Sequence, residues 1–141
     1  MNLDHFGPST PDQLVGIAVR CQIAQKLHTS TDPHQPPTEP NDRARDVSDL
    51  LLLRDLVRLE GQLTAADIGT ACAALFQARA DEAAALGRSP RVWPPVVHAH
   101  PHWQGDYDRV ARESRISHSL SDAVAELNSW IIELDAATPS G

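Results

Sequence analysis

The chain is poor in several features that would each point to a particular biology. It has two cysteines, Cys21 and Cys72, and both sit among apolar residues in stretches that read as helix. Free cysteine packs as a small hydrophobe, so two buried thiols are expected here rather than a disulfide. No apolar run approaches the ~20 residues that a membrane-spanning helix needs. The N-terminus has no basic stretch followed by an apolar one, so no secretory signal is visible and a cytoplasmic location is the default expectation. There is no phosphate-cradling glycine loop of the P-loop or dinucleotide type. There is no Gly-x-Ser-x-Gly and no Cys/His pair suited to nucleophilic catalysis. No internal repeat and no long linker is present, so residues 1–141 read as one domain.

What the chain does contain is ordinary for a globular protein. It has 141 residues, 41% hydrophobic and 22% charged, which permits a buried core and argues against wholesale disorder. The formal net charge of −7 repels phosphate backbones, which disfavours a general nucleic-acid coat but leaves room for a small basic patch.

The pattern predicts a mainly α fold, a bundle of about five helices with two proline-rich loops. Residues 1–13 read as an extended lead-in broken by Gly7, Pro8 and Pro11. A first helix is expected from about Val15 to His28. Ile17, Cys21 and Ala24 recur at helical spacing, and Val19, Ile23 and Leu27 widen the buried stripe. Residues 29–40 hold four prolines and read as a stiff exposed loop. Asn41 or Asp42 then caps a second helix that runs to about Leu59 and stops at Gly61. Its run Leu50-Leu51-Leu52-Leu53 marks it as central. Thr64 caps a third helix, with Asp67 as its capping-box partner, continuing to Gly87. Residues 88–102 are irregular. A fourth helix is expected over about Trp103–Ser114, and a fifth from Ser119 or Ser121 through Leu134. Trp93, Trp103 and Trp130 read as packing residues that pin loops to the core rather than as base-stacking platforms.

Two segments carry the candidate chemistry. The first ends Gln25-Lys26-Leu27-His28; the second opens Arg43-Ala44-Arg45-Asp46-Val47-Ser48-Asp49. Asp46 and Asp49 are three residues apart and share a helix face near its start, where the dipole favours carboxylates. Lys26 near a helix C-terminus complements the opposite end of a dipole. Each placement has a plain structural explanation, including an Arg45–Asp49 pair at i,i+4. The functional alternative is that the loop brings one ammonium and two carboxylates to a shared rim, as a phosphate clamp with a carboxylate that positions Mg²⁺, orients the lysine or acts as a base. No Asp-x-Asp or Asp-x-Glu pair stands on a strand, so the carboxylates of a two-metal site are missing.

The two segments together resemble the AbiEii-type nucleotidyltransferases, the toxin members of prokaryotic abortive-infection toxin–antitoxin systems. That family belongs to the polymerase-β-like superfamily. Lys26 matches its lysine on an Ala-x-Lys-Leu-His-like helix, and Asp46 and Asp49 match its Asp-x-x-Asp helix start. Ala71-Cys72, Leu75-Phe76, Arg79 and Trp93-Pro94-Pro95 also look like its helical C-terminal half. The resemblance implies a transferase that uses an NTP and Mg²⁺ to modify an acceptor such as tRNA, neutralised by a cognate antitoxin. It implies that Lys26, Asp46 and Asp49 are the catalytic candidates and that Lys26, Arg43 and Arg45 bind the nucleotide. The family's opening Gly-Ser turn with its metal-binding carboxylates is absent, and Cys21 stands where a glutamate is common. The chain is therefore expected to be the C-terminal portion of such an enzyme, completed by another segment. The alternative is a non-catalytic helical interaction domain or a decayed remnant.

His98, His100 and His102 alternate, and on extended backbone three imidazoles on one side can ligate zinc. No cysteine or carboxylate completes a known spacing, and an exposed loop is the expected outcome. Calorimetric titration with Zn²⁺ should show no stoichiometric site tighter than micromolar.

Overall fold

A computed structural model describes residues 11–31, 44–114 and 117–139. The expected cap at Asn41 or Asp42, most of the first proline-rich loop and Arg43 lie outside these. The described residues form five helices and no strand: α1 (Pro11–Ser30), α2 (Ala44–Glu60), α3 (Ala65–Ala85), α4 (Trp103–Ser114) and α5 (Leu120–Ala137). None is long and apolar enough to cross a membrane.

Two helices organise the bundle. α2 packs against α1, α4 and α5, while α5 packs against α2, α3 and α4. Leu50 and Leu51 explain the position of α2: both are buried in the cluster that also takes Ile23 and Leu27 from α1, Phe76 from α3, Tyr107 from α4 and Leu127 from α5. Arg54 ties α2 to α5 by donating from Nη1 to Glu126 Oε2 at 2.7 Å, and its side chain is nearly covered. The leucine run is less uniform than its composition suggests. Leu52 is 44% exposed, and with Leu56 and Leu59 it forms an outward row at helical spacing.

The first helix departs from expectation at both ends. It starts at Pro11 rather than near Val15 and runs to Ser30 rather than His28, taking in the first residues of the expected loop. Proline is accommodated in a first turn, where its missing N–H has no intrahelical acceptor anyway. Its buried stripe is Ile23, Ala24 and Leu27, with Val19 partly covered, while Ile17 and Cys21 are exposed. The two expected apolar rows lie side by side on this helix, and the bundle covers Ile23 and Leu27 of one and only Ala24 of the other. Both cysteines are free. Cys72 alone is buried, and burial pushes its thiol up to about 12.

The later boundaries follow from local chemistry. Thr64 Oγ1 accepts from Asp67 N and Asp67 Oδ2 accepts from Thr64 N, both at 3.1 Å, a reciprocal capping box. α3 closes through Arg88 N donating to Ala83 O at 2.7 Å, with Gly87 at φ +71°. Ser119 caps α5 by accepting from Asp122 N.

The irregular stretch before α4 is held to the bundle at several points. Asn128 on α5 brackets Val97: its Oδ1 accepts from Val97 N at 2.8 Å and its Nδ2 donates to Val97 O at 3.0 Å. Trp93 stands edge-on to Phe76 with ring centres 5.5 Å apart. Trp103 and Trp130 are buried. His98 and His102 are exposed, while the His100 ring lies 5.6 Å from that of His102 and 4.8 Å from that of Trp103.

α3 lies close against the end of α5 at Gly69. A Cβ there would collide with Thr138 Oγ1 and the Leu134 carbonyl, neither of which is the end of a long flexible chain. Gly69→Ala should destabilise the fold by about 1–3 kcal/mol, the usual range for overpacking, seen as a lower urea midpoint at unchanged slope.

Candidate functional site

Helical geometry brings the predicted residues together. Lys26 lies one turn before the end of α1, and Asp46 and Asp49 lie in the opening turns of α2, so the packing of α1 on α2 closes the gap. The ammonium Nζ donates to Asp49 Oδ2 at 3.0 Å and to Asp46 Oδ1 at 3.3 Å. Lys26 is the only lysine in the chain. A lysine suits this position because three rotatable N–H donors on one compact charge can serve two carboxylates at an angle, where a guanidinium would present a flat fork.

Sequence reasoning missed a fourth member. Thr29 follows Lys26 by three residues and so shares its face. Its hydroxyl donates to Asp46 Oδ2 at 3.0 Å. The same hydroxyl is 3.2 Å from the Lys26 carbonyl, but the shorter contact to a carboxylate is the stronger one. The spacing was a usable signal for Thr29. No local signal marks Arg91, which arrives from the irregular stretch and donates to the His28 carbonyl at 2.6 Å, capping the end of α1. Its other nitrogen contacts the His28 ring, and that ring meets Phe76 edge-on at 4.9 Å.

Arg45 is not in this cluster. It reaches toward α4, where its Nη2 is 3.9 Å from Glu113 Oε2, and both side chains are more than half exposed. The expected Arg45–Asp49 pair is replaced by Lys26–Asp49, because an ammonium already anchored between two helices outcompetes a long, solvated arginine. Arg43 lies outside the described residues.

One ammonium faces two carboxylates, so the cluster carries one net negative charge. Burial by itself would lower the Lys26 pKa, but the hydrogen bonds to Asp49 and Asp46 and their charges outweigh it. The ammonium is held above its ordinary 10.5. Among the described residues, two of its three N–H groups are engaged and Asp49 Oδ1 has no partner. The cluster can therefore offer a donor to an anionic oxygen and an acceptor to a hydroxyl. It fits a divalent cation poorly. Three of the four carboxylate oxygens are taken, and no group of three or more His, Cys, Asp or Glu side chains suited to a metal forms among the described residues.

No protein-family model matches the chain, and no curated protein matches it.

Lys26 is protonated more tightly in the folded chain than in the unfolded one. Its contribution to stability is full below the ordinary lysine value and is lost as pH rises through the raised folded value. Comparing unfolding of the wild type with Lys26→Met across the alkaline range should show the stability difference shrinking above 10.5. Cys72 and Tyr107, whose pKa values burial also raises, are common to both chains and cancel in that difference. At neutral pH the substitution should cost about 1–3 kcal/mol, the scale of hydrogen bonds to charged groups.

Proposed function

We propose that the chain is the C-terminal helical portion of an AbiEii-like nucleotidyltransferase toxin. In this reading Lys26 contacts the phosphates of an NTP, and Asp46 or Asp49 orients it or accepts a proton from the incoming acceptor, tRNA being the acceptor the family resemblance suggests. The observation that carries the reading is the meeting of the chain's only lysine with both aspartates of the second motif across two helices. Surface ion pairs are common and weak, but this one is partly buried, shared three ways and braced by Thr29. An anchored ammonium at a rim suits a polyphosphate.

The Mg²⁺ that the resemblance implies has no adequate ligand set in this cluster. The missing Gly-Ser motif and its carboxylates are where that reading looks for it, on a completing segment. A cognate antitoxin is a further expected partner.

A second reading, a non-catalytic helical interaction domain, is favoured by one observation. Leu52, Leu56 and Leu59 on α2 are exposed in a row, and Leu56 joins Val15, Val19 and Leu63 around a shallow apolar depression.

The test is transfer of labelled nucleotide from each NTP to total tRNA with Mg²⁺, using the chain alone and then with a segment supplying the Gly-Ser and Asp-x-Asp motif. Transfer by the completed protein, lost in a folded Lys26→Ala variant, is the expected result. No transfer from either sample, with Lys26→Ala and Asp46→Ala leaving biological effect unchanged, would replace the enzyme with the interaction domain.

A further inference from the structure

The two carboxylates of the Lys26 cluster are not equivalent. Asp46 has both oxygens committed, Oδ1 to the ammonium at 3.3 Å and Oδ2 to the Thr29 hydroxyl at 3.0 Å, and its side chain is 11% exposed. Among the described residues Asp49 engages Oδ2 alone, with the ammonium at 3.0 Å, and its side chain is 32% exposed. For Asp46 to receive a ligand, that ligand must reach the second lone pair of an oxygen already engaged, on a side chain that is nearly covered. Asp49 can receive one at Oδ1 without breaking anything.

The geometry points to a division of labour in which Asp46 and Thr29 are positioning residues that hold the Lys26 ammonium. Asp49 Oδ1 and the remaining Lys26 N–H then form the ligand-facing pair. Such a pair takes a ligand with an anionic oxygen beside a hydroxyl, the first accepting from Lys26 and the second donating to Asp49. The identity of that ligand as a nucleotide rests on the proposed function; the division between the aspartates does not.

Thr29 makes the asymmetry. Its backbone belongs to the last turn of α1, and its hydroxyl reaches across to α2. It therefore fixes the rotamer of Asp46 from the same helix that supplies the ammonium. Asp49, one turn further along α2, has no such brace.

Carbodiimide-driven coupling of glycinamide to carboxyl groups, read residue by residue by mass spectrometry on the intact folded chain, separates the two aspartates. ¹⁵N-lysine labelling adds a second readout, since a single lysine gives a single side-chain ammonium signal. Asp49 is expected to couple several-fold faster than Asp46. Thr29→Val should raise the Asp46 rate toward that of Asp49 and shift the ammonium signal, and Thr29→Ser should restore both. Equal rates in the wild type overturn the division, as does a folded Thr29→Val chain in which neither readout moves. Mg²⁺ with ATP, or with each other NTP in turn, should slow coupling at Asp49 several-fold and leave Asp46 unchanged. Protection at Asp46 instead also overturns the division. Protection at neither removes the nucleotide as ligand, and the wild-type rates then decide the division by themselves.

Discussion

One ammonium shared between two carboxylates sits where the end of α1 meets the beginning of α2, and much else is arranged around that meeting. The chain must leave α1, cross a proline-rich stretch and return so that two aspartates on one face of α2 arrive within hydrogen-bond distance of Lys26. The apolar row just beyond them, Val47, Leu50 and Leu51, buries against the same region of the bundle. Polar and apolar contacts therefore select the same register between the two helices. A slip that kept the core would lose the ion cluster, and one that kept the cluster would expose leucines.

A good part of this was legible in the sequence. Caps and stops are local: Thr64 with Asp67, Ser119, Gly61 and Gly87 each act through backbone chemistry within a few residues, so helix ends near them could be read directly. The pairing of Asp46 with Asp49 is likewise fixed by helical spacing. The meeting with Lys26 is less local. It could be anticipated because both motifs lie at helix ends that face each other across one connection, so few arrangements satisfy both.

The failures share one cause. On α1 the rows Ile17–Cys21–Ala24 and Val19–Ile23–Leu27 have similar apolar content, and periodicity cannot say which of their members the rest of the molecule covers. The leucine run on α2 poses the same difficulty, since Leu52 is indistinguishable in sequence from its buried neighbours. Spacing within one helix allows Arg45 to pair with Asp49, but Lys26 from a different helix takes that carboxylate. Arg91 could not be placed at all, because its contact with His28 spans chain-distant segments. Selection among equal local options is a tertiary decision.

The bracket that Asn128 places around Val97 gives that residue an unusual status. A side-chain amide presents one acceptor and one donor along a single edge, as the C=O and N–H of one extended residue do, so α5 offers the loop a substitute for the neighbouring strand that is missing among the described residues. An aspartate of the same size would leave the Val97 carbonyl facing a second acceptor, and a leucine would leave both backbone groups without a partner. Burial keeps the side chain at position 97 apolar, whereas position 128 is confined to a carboxamide by a backbone that is not its own.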